Sequence, residues 1–225
     1  MDKHYRHEWK HVLHVGDLLI LRQRLSAVMD RDPHTINGKY HIRSLYFDNL
    51  YDKALREKID GISMREKFRL RLYNGDASII HLEKKSKWNN LGTKYSANLT
   101  EEEALKLTVG DFDWMLASDD SLIQELYCKI RYQGIRPKTI VDYIREPFIL
   151  EPGNVRVTLD YDIRTGLNCT DFLNSSAVTI PAGDAPIILE VKWDEFIPSI
   201  IQDVVCVPNR RVGSFSKYCQ CRVYG

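Results

Sequence analysis

The sequence predicts an α+β protein, an antiparallel β-barrel of about eight strands with peripheral helices. Three observations lead to it. First, Arg65-Glu66-Lys67-Phe68-Arg69-Leu70-Arg71-Leu72-Tyr73 alternates with a period of two. Arg65, Lys67, Arg69 and Arg71 share one strand face, and Phe68, Leu70 and Leu72 share the other. Second, Asn74-Gly75-Asp76 turns this strand into another whose odd positions are Ile79, His81, Glu83, Lys85 and Lys87, so a second charged face follows the first. Third, strands with separated faces recur to near the C-terminus, while helix-period segments fall between them. An apolar face must pack on something. A ladder of cations roughly 7 Å apart repels itself and calls for an anion. Long, regularly spaced anions are polyphosphates and nucleic acids.

The elements follow in order. Tyr5 to Lys10 reads as a strand with Arg6, Glu8 and Lys10 on one face. A helix from about Gly16 to Met29 carries Leu18, Leu19, Leu21, Leu25 and Val28 on a stripe. Lys39 to Asp48 is a strand, Asn49 to Asp60 a short helix, and Met64 to Tyr73 and Ser78 to Lys87 the charged hairpin. Asn89-Asn90-Leu91-Gly92 turns again before a strand at Lys94-Tyr95-Ser96-Ala97. Thr100-Glu101-Glu102-Glu103 carries a hydroxyl cap and early carboxylates, the signature of a helix start. Asp120 to Gln133 is a second helix, so about 100–134 reads as a helical insertion outside the barrel within one domain spanning 1–225. Strands resume at Thr139–Phe148, with Thr139, Val141, Tyr143 and Arg145 on one face. In Val155–Ile163 the face holds Arg156, Thr158, Asp160 and Asp162, and in Ile187–Trp193 it holds Ile188, Glu190 and Lys192. A last helix is expected near Pro198.

Composition narrows the function. Lys+Arg 32 against Asp+Glu 31 leaves a net charge of +1, without the basic excess of a general nucleic-acid binder. The cations are concentrated in particular strands, which fits a focused internal anion site. The five cysteines include no CxxC pair, and the histidines His4, His7, His11 and His14 match no common metal spacing; reduced structural thiols and surface histidines are expected. The start of the chain lacks the apolar core of a signal peptide, and no apolar run approaches membrane-spanning length, so a soluble, cytoplasmic protein is expected. Neither GxxxxGK[ST] nor a kinase-like Gly-rich loop occurs.

The motifs and their order resemble the triphosphate tunnel metalloenzymes, and within them the VTC-domain polyphosphate polymerases. The resemblance runs over nearly the whole chain. It rests on Arg6-His7-Glu8-Trp9-Lys10, Ser44-Leu45-Tyr46-Phe47-Asp48, Arg69-Leu70-Arg71-Leu72-Tyr73 and Leu82-Glu83-Lys84-Lys85. It continues through Tyr143-Ile144-Arg145, Arg156-Val157-Thr158-Leu159-Asp160, Leu189-Glu190-Val191-Lys192 and Ser216-Lys217-Tyr218. One departure is informative. The triphosphatase (CYTH) branch begins with ExExK, and here Arg6 stands where its first glutamate would be.

The resemblance implies transfer of the γ-phosphate of ATP to a growing polyphosphate chain. Lys10, Arg69, Arg71, Lys85, Arg145, Arg156 and Lys217 would hold the phosphate oxygens and carry catalysis, with Lys94 a further phosphate-binding candidate. Glu190 would bind Mn²⁺ or Mg²⁺. Arginine suits such a site by its two-pronged donors, lysine by its point charge, and a hard cation by its preference for oxygen. ATP and polyphosphate are the implied partners, without nucleic acid, and a separately encoded membrane partner is compatible with the chain. Read from its residues alone, Glu190 is open between metal ligand and ion-pair partner. Glu8, Glu83, Asp160 and Asp162 read as pairing with cations, Tyr46 and Phe47 as packing residues. Hydrolysis of a triphosphate in the same tunnel and a non-catalytic polyphosphate-binding module are the alternatives.

Overall fold

The computed structural model of the protein describes residues 6–89 and 91–223. The expectations for His4, Tyr5 and Asn90 lie outside these residues. The strands are β1 (His7–Leu13), β2 (Asp30–Arg31), β3 (Tyr40–Asp48), β4 (Arg65–Tyr73), β5 (Asp76–Trp88), β6 (Leu91–Leu99), β7 (Arg136–Leu150), β8 (Val155–Thr165), β9 (Ile180–Pro181) and β10 (Ile187–Trp193). The helices are α1 (Val15–Val28), α2 (Lys53–Ile59), α3 (Glu101–Val109), α4 (Ser121–Gln133), α5 (Ser199–Val205) and α6 (Lys217–Val223).

The main sheet runs β1-β10-β8-β7-β3-β4-β5-β6, with every neighbouring pair antiparallel. The short strands β2 and β9 attach to β7 and β8. The sheet curls into an eight-stranded barrel wall whose end strands, β1 and β6, are not paired with each other among the described residues. The edge of β1 is covered in part by the C-terminal segment, where the Gly213 N–H donates to the Lys10 carbonyl at 2.8 Å. Covering an edge in this way removes an open pairing template without closing the ladder.

Local chemistry places the elements. Asn74 and Gly75 take φ of 55° and 74°, the left-handed pair of a two-residue hairpin turn between β4 and β5. Thr100 caps α3 in a capping box with Glu103, and Gly110 ends it at φ 87°. Asp120 caps α4 through the N–H groups of Leu122 and Ile123, and Gly134 ends it at φ 66°. The buried carboxylate of Asp48 accepts from the N–H groups of Ala54 and Leu55 and so fixes the start of α2.

The outer face of the sheet is apolar and carries helices on both sides. Phe68, Leu70, Leu72, Ile80 and Leu82 pack with Leu107 of α3 and Leu122, Leu126 and Ile130 of α4. Val157, Leu159, Leu189 and Val191 pack with Leu18, Leu21 and Leu25 of α1 and Ile201 and Val205 of α5. The concave face is apolar only at one side, where Ile42, Val141, Ile163 and Ile188 meet Tyr218 and Cys221 of α6. The rest of that face is charged. Helix α6 was not expected from sequence: its seven residues include Lys217, Gln220 and Arg222 among Tyr218 and Cys221, too short a stretch to display a period.

Candidate active site in the barrel lumen

Directly paired residues on antiparallel strands point to the same side. The register therefore assembles one face from Glu8 and Lys10 of β1, Glu190 and Lys192 of β10, and Arg156, Thr158 and Asp160 of β8. Arg145 of β7 is opposite Asp160. Across the curl, Ser44 and Tyr46 of β3 face Arg71 and Arg69 of β4, Arg69 faces Glu83 of β5, and Lys85 lies between Lys67 and Lys94. Lys217 enters from α6, its amine 2.6 Å from Asp160. The lumen thus brings together Lys10, Arg69, Arg71, Lys85, Lys94, Arg145, Arg156, Lys217 and Glu190. Lys84, the neighbour of Lys85, points outward to Glu66 and Glu125.

Two carboxylates organise the arginines. Glu83, only 1% exposed, accepts from Arg69 Nε at 2.7 Å, lies 3.7 Å from Arg71 Nη1, and pairs with Lys94 at 2.5 Å. Burial alone would raise its carboxyl. Arg69, Arg71 and Lys94 outweigh burial and hold it far below the usual carboxylate range. Asp160, wholly buried, takes both prongs of Arg145 at 2.7 Å each. Burial again opposes its charge, and Arg145 and Lys217 overcome it. Both anions orient cations toward the lumen while leaving other donor atoms for a ligand.

Tyrosines complete the cradle. Arg69 Nη1 donates to the Tyr46 hydroxyl at 2.8 Å, and Arg71 Nη2 to the Tyr143 hydroxyl at 2.9 Å. The Lys217 amine sits 4.6 Å from the centre of the Tyr143 ring. Tyr46 is thus a lumen residue, stacked on Tyr218 at 5.0 Å, while its neighbour Phe47 is in the outer core. Burial would raise the Tyr46 phenol; Arg69, Lys67 and Arg71 bring it down to about 8.

Cations outnumber carboxylates, and two lysines show it. Among the described residues Lys67 and Lys85 have no ion-pair partner; the closest polar contact of Lys67 is Ser216 Oγ at 3.4 Å. Burial, then Arg69, Lys10 and Lys217, lowers Lys67 to about 8. Burial, then Lys192 and Arg69, lowers Lys85 well below its ordinary value. The lumen is poised for an anion.

Glu190 is held between Lys192 and Lys10, the latter at 3.8 Å, and these cations with Arg145 and Lys217 override burial to keep it ionised. Opposite it in register, the Thr158 hydroxyl is buried without a hydrogen-bond partner. Arg156 reaches Asp32 at 3.3 Å, and its Nε is likewise buried and unpaired. No group of three or more His, Cys, Asp or Glu residues able to hold a metal occurs among the described residues. The oxygens of Glu190, Glu8 and Thr158 suit a hard divalent cation only if phosphate oxygens complete its shell.

Two sequence readings change. Asp162 does not share the face of Asp160: it adopts φ 49° beside the register shift between β7 and β8, is exposed, and lies 3.6 Å from Arg164. One extra residue at a bulge turns the following side chains over. Arg6 pairs with Asp194 at 2.7 Å and donates to the Asn154 carbonyl, so it anchors the start of β1 and adds no charge to the lumen. Tyr46, Tyr143, Thr158, Lys67 and Lys192 were not among the candidates. Strand parity marked their face, but parity does not separate a ligand-facing side chain from its packing neighbours.

No helix among the described residues is long and apolar enough to cross a membrane. No curated protein matches the chain in sequence. In structure it is similar to a Bacillus halodurans protein provisionally assigned as an adenylate cyclase, at 12% identity and TM-score 0.50, over 85% of this chain and 82% of that one. This identity shows a shared fold alone. The PH1819 protein of Pyrococcus horikoshii is also similar, at 13% identity and TM-score 0.45, over 89% of this chain and 84% of that one. The VTC domain family matches residues 5–224, nearly the whole sequence. With its curled antiparallel wall and cationic lumen, the chain belongs to the VTC domain family and has the triphosphate tunnel fold.

Proposed function

We propose that the protein is a polyphosphate polymerase that transfers the γ-phosphate of ATP to the end of a growing chain. The observation that carries this reading is the surplus of lumen cations, with Lys67, Lys85 and Lys94 side by side on adjacent strands. Such a row repels itself without a ligand of comparable charge density. Phosphoryl transfer asks the protein for positioning and charge neutralisation and for little covalent chemistry. Arg69 and Arg71, aimed by Glu83, Tyr46 and Tyr143, are placed to neutralise oxygens of the transferred phosphoryl group. Lys85 adds a point charge, and Arg145 and Lys217, held by Asp160, bind neighbouring phosphates together with Lys10 and Arg156.

The bond from the γ-phosphorus to the ADP oxygen breaks, and a bond from that phosphorus to a terminal oxygen of the acceptor chain forms. The acceptor oxygen is already anionic, so no strong base is required. This agrees with the lumen, where Glu8, Glu83, Asp160 and Glu190 all sit in ion pairs. Glu190, Glu8 and Thr158 would hold Mn²⁺ or Mg²⁺, which when bound neutralises and orients phosphate oxygens.

The test is incubation with ATP and Mn²⁺ or Mg²⁺, with products separated on a denaturing gel stained for polyphosphate and orthophosphate measured in the same tube. A ladder sensitive to a polyphosphate-specific exophosphatase is expected. Orthophosphate without a ladder assigns a tunnel triphosphatase, and binding of polyphosphate without turnover assigns a binding module.

A further inference from the structure

The reaction proposed above leaves one charged cluster unused, at the mouth where β4 begins and β5 ends. Arg65 stands directly opposite Lys87 in register. Like charges placed opposite each other on a sheet are destabilising. Lys58 of α2 joins them. Burial lowers its amine, with Arg65 the next cause and Lys87 and Lys10 adding. Lys87 is lowered by burial and then by Arg65, against the weaker pull of Glu8.

Most cations deeper in the lumen are paired, with Lys67 and Lys85 the exceptions among the described residues. Lys10, Arg69, Lys94, Arg145, Lys192 and Lys217 each have a carboxylate partner. Among the described residues Arg65, Lys87 and Lys58 have none. Arg65 donates to the Ile62 carbonyl, and Lys58 to Ser214 Oγ at 2.9 Å. The unpaired row of Lys67 and Lys85 therefore continues to the mouth, where no cation of the cluster is held in an ion pair among the described residues. The mouth is continuous with the core, since Arg65, Lys67, Arg69 and Arg71 share one face of β4. Four residues of strand separate Arg65 from Arg69, a distance of ~13 Å. A triphosphate centred on Arg69 and Arg71 thus lies ~13–20 Å along the strand from Arg65, and a longer chain extends toward it.

We propose that Arg65, Lys87 and Lys58 form a grip for the part of a linear polyphosphate that extends beyond the triphosphate-binding core, so that this mouth reads ligand length. The inference rests on the polyphosphate reading of the lumen. It assigns the mouth a binding task separate from the chemistry.

The experiment compares wild-type protein with the double variant Arg65→Gln, Lys87→Gln. Affinities for inorganic tripolyphosphate and for long-chain inorganic polyphosphate are measured by calorimetry at two salt concentrations. Tripolyphosphate affinity should stay within about twofold, while long-chain affinity falls about tenfold, equivalent to ~1.4 kcal/mol. The slope of log affinity against log salt for the long chain should become shallower by about two, one for each phosphate contact removed. Equal losses for both ligands, or no loss for either, would overturn the proposal. Should the double variant not fold, Lys87→Gln alone carries the same comparison with a smaller expected loss. Wild-type protein that binds neither ligand removes the polyphosphate reading itself. Wild-type protein that binds both, with a variant that matches it, removes only the mouth grip.

Discussion

Glu83→Gln is the substitution that most directly tests how the lumen is built. The carboxylate is 1% exposed and shared by Arg69, Arg71 and Lys94. Glutamine keeps its shape and removes its charge, which leaves those cations without their common anion. Breaking a buried pair by removing one partner costs about 3–5 kcal/mol, chiefly because the other charge stays buried and uncompensated. For a chain of 225 residues each kcal/mol corresponds to roughly 2–4 °C, so the melting temperature should fall on the order of 10 °C. The assay is thermal and urea unfolding with and without tripolyphosphate. A ligand at a hundred times its dissociation constant stabilises by about 2.7 kcal/mol. The freed cations should bind the anion more tightly, so a fixed tripolyphosphate concentration should stabilise Glu83→Gln more than wild type. A cost below about 1 kcal/mol, the range of exposed pairs, or an equal ligand increment in both proteins, would refute the claim that Glu83 occupies part of an anion site.

Four further outcomes are expected. Arg71→Met should lower phosphoryl transfer about 10³-fold and destabilise less than Glu83→Gln, because Arg69 and Lys94 remain on Glu83 while only the hydroxyls of Ser44 and Tyr143 and the longer Glu83 contact are lost; retained turnover would remove Arg71 from the chemistry. Lys67, lowered from 10.5 to about 8, holds its proton less well folded than unfolded. The unfolded chain therefore binds more protons between those values, and ligand-free stability should rise from about pH 8 toward 10.5, to which Tyr46, lowered from 10.0 to about 8, adds in the same direction. A bound polyanion restores the lysine proton, so tripolyphosphate binding above about pH 8 should take up protons and weaken as pH rises; calorimetry in buffers of different ionisation heat reads this, and zero uptake would count against it. Thr158→Val should be neutral or stabilising in urea, since the hydroxyl has no partner, while weakening divalent-metal affinity in the presence of tripolyphosphate; unchanged metal affinity would remove it as a ligand. Gly153→Ala should cost more than about 1–2 kcal/mol in urea, because φ is 75° and a Cβ would come within 2.3 Å of the Phe196 carbonyl oxygen; a neutral result would show that this turn rearranges freely.

The sequence by itself determined the alternation of faces. In Arg65 to Tyr73 the period of two separates cations from Phe68, Leu70 and Leu72, and the structure keeps that division with the apolar row in the outer core. Asn74-Gly75 announced its turn because few residue pairs accept two left-handed φ values, and Thr100 announced a helix start through its capping side chain. These signals are local, and local sterics and hydrogen bonding suffice to read them.

Tertiary structure decided the rest. Whether a cation is paired depends on strands far apart in sequence, and the pairing of Arg145 and Lys217 on Asp160 appears only when β7, β8 and α6 meet. The bulge that turns Asp162 outward leaves no mark in the alternation of Arg156, Thr158 and Asp160. Arg6 shares the parity of Glu8 and Lys10 yet leaves the lumen for Asp194, because an opposite charge lies within reach at the barrel rim. Alternation fixes which side of a strand a residue occupies. Curl, register and the ends of neighbouring elements fix what it meets there, and in this lumen the meetings decide which charges are left for a ligand.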